Sequence, residues 1–381
     1  MKNTWVKLPV PTGDVSGAAS ALYELGGMLV IHDPSGCNST YNTHDELRWY
    51  DQESLIFISG LTDIEAANGD DSRLIRDTVE AADYYQPRFI AFANSPIPYL
   101  NGTDFAAICR LVEQKSGIPC FYVETNAMHD YARGASLAFL RFAQKLLPAE
   151  RPTHRHGGPL RVAVLGMTPL DFPARRSAQR LREILEQGGF LQVSGWSVDT
   201  GFEDALRAVE ADVSLVVSVA GLRVAEFLKE RYGIPFVAGL PLGALREPVL
   251  QALRDAAAGK ASGAVYQKYE NRFPGANTVT VIGEPVTMGS VGADLAIREG
   301  CNFRIVALPE DSAALISETD RLAPDEERMI EALADAELAI GDPFYRKLLP
   351  RRASLHELPH VALSGRIYLD RVRDYFEESL L

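Results

Sequence analysis

Short apolar runs recur along this chain, each bounded by turn residues, and their spacing sets the architecture. The first, Leu25 to Ile31, opens on Gly26 and Gly27 and continues as Met28-Leu29-Val30-Ile31. Runs of about four to eight apolar residues between turn signals predict inner strands of a parallel sheet. Further strands are predicted at Leu55 to Ile58, Phe89 to Ala93 and Cys120 to Val123. Helical spacing fills the intervals. The small-residue stretch Ala18 to Leu25 predicts a helix with Asp14 or Ser16 as N-cap, and Asp63 caps a short one. Leu74, Ile75, Val79 and Ala82 mark a helix over Ser72 to Tyr85, and Gly102-Thr103-Asp104 caps another over Phe105 to Lys115. Strand, turn, helix, strand in this rhythm predicts a doubly wound sheet.

The pattern then repeats. After a helix to about Leu147, the polar stretch Pro148 to Pro159 closes the first unit. A second unit places strands at Leu160 to Gly166, Leu191 to Val193, Leu215 to Val217 and Phe236 to Ala238, with helices over Ala174 to Gln187 and Leu222 to Arg231. A third begins with the strand Thr278 to Gly283, with Glu284-Pro285 in its turn and a helix running to Gly300. The strand Phe303 to Leu308, a helix over Pro324 to Asp335, and strands at Leu338 to Asp342 and His360 to Leu363 follow. Gly117-Ile118-Pro119 and Gly233-Ile234-Pro235 stand at comparable places in the first two units, which argues for a repeated architecture. The expected fold is α/β: three Rossmann-like doubly wound units with mainly parallel sheets around a shared cleft. Domains are expected over residues 1–150, 151–270 and 271–381.

Composition narrows the function classes. A length of 381 residues suits two or three domains. With 51 acidic against 38 basic residues and a net charge of −13, the chain has no basic run suited to nucleic acid. No stretch approaches the roughly 18–20 apolar residues of a membrane span, and the N-terminus shows no charged region before an apolar core. The expectation is a cytoplasmic chain, without membrane or nucleic-acid partners, whose thiols are reduced. Four cysteines with no C-x-x-C pair make neither a disulfide framework nor a self-sufficient zinc site. No G-x-G-x-x-G follows a strand and no G-x-x-x-x-G-K-[ST] occurs, so NAD and ATP are not expected to bind by those devices.

The stretch with chemistry to offer is His32-Asp33-Pro34-Ser35-Gly36-Cys37. Pro34 and Gly36 turn the chain and present one thiol at a strand's C-terminal exit, where open α/β sheets place ligands. Free cysteines are often plain core residues, and Cys109, Cys120 and Cys301 read that way. His44, Asp45, Arg48, Trp49 and Tyr50 mix charge and aromatics as interfaces do, or as the start of a solvated helix. His154 and His156 sit in the polar linker.

Several motifs occur in an order that carries a resemblance. They are Ser16-Gly17, Glu24-Leu25-Gly26-Gly27 with Ile31 to Cys37, Asn94-Ser95-Pro96, Val164 to Asp171, Lys229 to Pro235, and Ile340-Gly341-Asp342. Across about the whole chain they resemble the nitrogenase component 1 (MoFe-protein-like) superfamily, and within it a β-type subunit of a nitrogenase-like reductase. The resemblance implies an iron–sulfur cluster, 4Fe-4S or larger and P-cluster-like, at an interface and shared with a partner chain. It makes Cys37 a metal ligand, puts His32 and Gly36 in the cofactor-binding loop, and puts Ser95 where members commonly carry a cysteine before proline. The family's first cluster cysteine is missing between Thr12 and Ala19; tetrapyrrole-reducing relatives use an aspartate ligand, which makes Asp14 a candidate metal ligand. Near Val217-Ser218 no cysteine stands where nitrogenase holds its active-site metallocofactor, and neither His356 nor His360 can be assigned as a cofactor histidine.

A single Cys37 leaves most ligands, and any complex metallocofactor, to a homologous component 1 subunit in a heterotetramer with two copies of each chain. The electron donor implied is an ATP-hydrolysing iron protein. The function implied is electron transfer, as a subunit of a two-component reductase, to a small molecule of the methylthio-alkane type. The alternatives are a tetrapyrrole-type reductase subunit, a non-catalytic scaffold for metallocofactor maturation, and a ligand-binding module with no cluster.

Overall fold

The apolar runs form parallel strands in the computed structural model, which describes residues 5–34, 36, 46–152, 157–173, 175–260 and 263–377. Cys37, His44, Asp45, His154 and His156 lie outside the described residues. The first sheet contains β1 (Met28–His32), β2 (Leu55–Ile58), β3 (Ile90–Asn94) and β4 (Cys120–Val123) in the order β2-β1-β3-β4. The second contains β5 (Leu160–Met167), β6 (Phe190–Ser197), β7 (Val213–Val216), β8 (Phe236–Ala238) and β9 (Gly263–Ala264) in the order β6-β5-β7-β8-β9. The third contains β10 (Thr278–Gly283), β11 (Asn302–Ala307), β12 (Arg321–Leu322), β13 (Leu338–Gly341) and β14 (Ser354–Glu357) in the order β12-β11-β10-β13-β14. Every pairing within them is parallel.

Helices on both faces bury the central strands, so β1 and β3 are buried at every position and read as continuous apolar runs. In each sheet the first strand has the second on one side and the third or fourth on the other. Each sheet therefore has a switch point, at β1/β3, β5/β7 and β10/β13, where a crevice opens beyond the strand ends. One continuous apolar core runs through all three sheets, from Leu29 through Val162 to Val279. Trp196 is its largest fully buried side chain and packs edge-on against Phe139 and Phe142 at centroid distances of 5.6 and 5.4 Å.

Two helices meet backbone to backbone near the switch point of the first sheet. Gly17 on the helix Asp14–Leu22 and Gly134 on the helix Tyr131–Leu146 face each other's partners. A Cβ at Gly17 would run into the carbonyl of Tyr131, and one at Gly134 into that of Asp14. Further out, an N-terminal arm crosses to the third sheet, where the amides of Val6, Lys7 and Leu8 all donate to one carboxylate oxygen of Glu326, at 3.0, 2.7 and 2.9 Å.

Several sequence expectations need correction. Gly13, not Asp14 or Ser16, is the N-cap of the first helix, which ends at Leu22. Thr62 rather than Asp63 caps the next helix, through a capping box with Glu65. The predicted strand His360 to Leu363 is the short helix Val361–Ser364, and the last strand is β14 instead. Arg48 belongs to neither a solvated helix nor an open interface. It is buried and donates to Glu46 at 2.7 Å and Glu24 at 2.9 Å. Both Gly-Ile-Pro turns do the same work: Gly117 and Gly233, at φ 72° and 69°, end a helix in the left-handed conformation and lead into β4 and β8.

The crossing predicts that Gly134→Ala destabilises the fold by about 1–3 kcal/mol, because two backbones must separate to admit a methyl group. Thermal and urea unfolding of the purified variant measures this, and an unchanged midpoint would show that the helices do not touch.

Candidate functional site

The first sheet's strand ends gather most of the residues singled out in the sequence. His32 ends β1 and is paired in register with Asn94 at the end of β3. Its ring is buried, hydrogen-bonded through Nδ1 to the Ser59 hydroxyl at 2.8 Å, and set edge-on against Phe105. Burial pushes the His32 pKa down to about 4, so the ring is neutral near pH 7; Glu65 opposes the shift and Arg73 adds to it. Thr125, just past β4, accepts from the Asn94 amide and donates to the Asn94 carbonyl, both at 2.8 Å. Beside this clasp, Asn94 Oδ1 and Ser95 Oγ are buried without a hydrogen-bond partner. Buried polar atoms are seldom left unpaired, so these two leave hydrogen-bonding capacity at this edge.

Asp14 continues the same edge. It is the first residue of its helix, and its two carboxylate oxygens accept the amides of Asn126 at 2.9 Å and Ala127 at 2.7 Å. Burial raises its pKa, against the two amides and His129. A line of contacts thus runs from His32 through Asn94, Thr125 and Asn126 to Asp14. Gly36, with φ 130°, makes the turn one residue before Cys37. Among the described residues no three His, Cys, Asp or Glu converge as a metal-ligand set. The described edge therefore does not supply a complete ligand set by itself.

A second polar centre, missed in the sequence, lies where the three sheets' strand ends meet. Asp171 follows β5. Its Oδ1 accepts the Tyr131 hydroxyl at 2.5 Å and the His360 Nε2–H at 3.0 Å, while Oδ2 accepts the Thr168 hydroxyl at 2.9 Å. Glu284 follows β10 and caps the helix Pro285–Glu299, accepting the amides of Val219, Val286 and Thr287 at 2.8, 3.2 and 2.7 Å. Asp342 follows β13 and accepts the amide of His360 at 2.8 Å. Ser218 is fully buried, and its hydroxyl donates to the Gly166 carbonyl at 2.5 Å. The one available signal was an acidic residue within a few positions of three strand exits; Tyr131 gave none.

Charge is tightly coupled in this centre. Burial pushes Glu284 up to about 7, with the Asp171 charge adding to the shift and three amides opposing it. Burial depresses His360, but its bond to Asp171 and the charges of Asp171, Asp342 and Glu284 outweigh that and raise it. Burial and the neighbouring carboxylate raise the Tyr131 hydroxyl well above its ordinary value.

Three comparisons place this geometry. The model of the family of nitrogenase component 1 type oxidoreductases matches residues 14–273. One subunit of the light-independent protochlorophyllide reductase of Prosthecochloris aestuarii is 28% identical over 237 residues, covering 59% of this chain and 41% of that protein. This chain thus spans well under two thirds of that relative's length. Among solved structures, nitrogenase Cp1 at pH 6.5 matches with a TM-score of 0.58 at 15% identity, over 81% of this chain and 65% of its own. Nitrogenase Cp1 at pH 5 gives the same TM-score and identity over 87% and 72%. At that identity the likeness is one of fold. Among the described residues no helix is long and apolar enough to cross a membrane.

The central carboxylates predict how stability varies with pH. Glu284 titrates at about 7 when folded against an ordinary 4.5, so the folded chain holds a proton that the unfolded chain releases. Stability then falls as pH rises from 4.5 to about 7. The raised His360 acts in the same sense: its contribution is complete below about 6.5 and is lost as pH rises through its folded value. His32 works in the opposite sense and is common to wild type and variant. Urea unfolding across this range should show Glu284→Gln with a shallower fall in stability between 4.5 and about 7 than the wild type, the remainder coming from Glu270, Asp130 and His360, which both share; identical slopes would remove Glu284 from the account.

Proposed function

Because the chain belongs to the family of nitrogenase component 1 type oxidoreductases, we propose that it is the electron-transferring subunit of a two-component nitrogenase-like reductase. Its partner is a homologous component 1 subunit, with two copies of each chain, and its electron donor an ATP-hydrolysing iron protein. The observation that carries this reading is the first sheet's edge: β1 ends on His32 at the switch point, five residues before Cys37 in the sequence, and there the Ser95 hydroxyl and the Asn94 side-chain Oδ1 are buried without a partner.

Each residue then has a task. Cys37 supplies a thiolate to a cluster shared with the partner, and Gly36 allows the turn that presents it. The Ser95 hydroxyl donates a hydrogen bond to the bound group rather than ligating it. His32 stays neutral and fixes the loop's base through Ser59. Asp14 becomes a ligand only if its carboxylate leaves the amides of Asn126 and Ala127. When bound, an iron–sulfur cluster supplies one-electron transfer at a potential tuned by hydrogen bonds to its sulfurs and by burial. Ser218, folded back onto Gly166, leaves any larger metallocofactor to the partner.

For the substrate, the similarity to a protochlorophyllide reductase subunit favours a tetrapyrrole over a methylthio-alkane. A maturation scaffold would use the same edge, but would release its cluster to an acceptor instead of turning over with reductant.

Anaerobic co-purification with the homologous subunit, for wild type and Cys37→Ala, decides the central point. The expected wild type is brown, with iron, sulfide and a cluster EPR signal. The variant should still assemble but lose most of that iron and the signal. A colourless wild type, or an undiminished signal in the variant, would sink the ligand assignment.

A further inference from the structure

The first sheet carries a second set of reactive groups away from its switch point. Cys109 lies on the helix Phe105–Ser116 and Cys120 opens β4, eleven residues on. Both thiols are buried, 7% and 3% exposed, and the neighbouring Cys109, with burial, pushes the Cys120 thiol up. Glu113 fixes this approach. It stands one helical turn after Cys109, and its carboxylate accepts the amide of Cys120 at 3.3 Å and the ammonium of Lys145 at 2.6 Å. The two cysteines line one cavity of about 320 Å³, shared with Arg110, Arg141 and Lys145. Against those three cations stand Glu113 and Glu124, which pair with Lys145 and Arg141 and leave Arg110 exposed.

We propose that Cys109 and Cys120 are a redox-active dithiol that closes to a disulfide within the folded chain when a small anionic disulfide such as oxidised glutathione enters this cavity. The cationic lining draws the anion in. The Cys109 sulfur attacks the small disulfide, breaking its S–S bond and releasing one thiol. The Cys120 sulfur then attacks that of Cys109, breaking the mixed disulfide and releasing the second thiol. The pair gives up two electrons, the small disulfide takes them, and the two protons leave on the released thiols. A disulfide tolerates only a narrow geometry, and here the two cysteines stand on a helix and a strand packed against each other and line the same cavity. The neighbouring Cys109 and burial hold Cys120 as a thiol, which leaves the first attack to the more exposed Cys109 and makes closure slow.

The bridge would staple the helix to β4, whose continuation supplies Thr125, Asn126 and Ala127. These are the residues that clasp Asn94 and Asp14.

The test is thiol counting, intact mass and peptide mapping of the full-length chain, reduced under nitrogen and then incubated with oxidised glutathione. The expected result is loss of two of the four thiols, a mass lower by two hydrogens, and a Cys109–Cys120 cross-linked peptide. In Cys109→Ser and Cys120→Ser the cross-link is absent and the remaining cysteine stays a thiol or carries one glutathione. Retention of all four thiols, a lasting glutathione adduct without closure, or a bridge between other cysteines would each overturn the proposal. If a variant fails to fold, the wild-type peptide map still decides between these outcomes.

Discussion

One buried carboxylate joins side chains from all three units. Asp171 leaves the end of β5 and is held at once by Tyr131, from the helix that follows the first sheet, and by His360, from the end of the third. The cost of burying such a charge is large unless every lone pair is used, and here Thr168 occupies the second oxygen. Three sheets that share an apolar core could slide on it, because apolar contact is not directional. Hydrogen bonds to a single buried acceptor are directional, so they fix the angle between the units as well as their proximity.

The same logic repeats at smaller scale. Glu284 caps its own helix and reaches across to Val219, and Asp342 holds both its own turn and His360. Parallel strands end together on one side of each sheet, and that is where open α/β folds collect polar groups. In the second and third sheets those ends face one another, and their polar groups are spent on joining the units. The first sheet's edge is arranged differently. Its outer groups are joined by Thr125 and Asp14, while Ser95 Oγ and Asn94 Oδ1 remain unsatisfied. The central cluster keeps one such group as well, His360 Nδ1, so it is mainly spent on joining the units while the first sheet's edge leaves two neighbouring groups unused.

Much of the fold was legible because buried parallel strands announce themselves as uninterrupted apolar runs. Leu55–Ile58, Cys120–Val123, Phe236–Ala238 and Thr278–Gly283 fall where the runs do, as does the helix Ser72–Tyr85. Errors fell where local signals compete. His360-Val361-Ala362-Leu363 has the composition of a strand, yet Asp342 captures the His360 amide and the chain coils into a helical turn. Arg48 reads as a surface residue until Glu24 and Glu46, distant in sequence or masked by their own polarity, are seen to enclose it. The candidate edge was legible at His32 and Ser95 because strand exits are marked by turn residues. The Tyr131–Asp171–His360 centre was not, since three residues that far apart carry no shared pattern until the sheets are stacked.

The arm that crosses to Glu326 has a consequence for how the molecule is made. Val6, Lys7 and Leu8 donate their amides to a residue more than 300 positions later, and Thr12 donates to the carbonyl of Ala362. During synthesis this stretch emerges from the ribosome before its acceptor exists, and it must wait while the first two sheets are completed. Domains generally fold in the order in which they emerge, but here residues 6–8 are secured by the last sheet. Final closure is therefore a late event, and a nascent chain stopped between the second and third sheets would carry residues 6–8 unsecured.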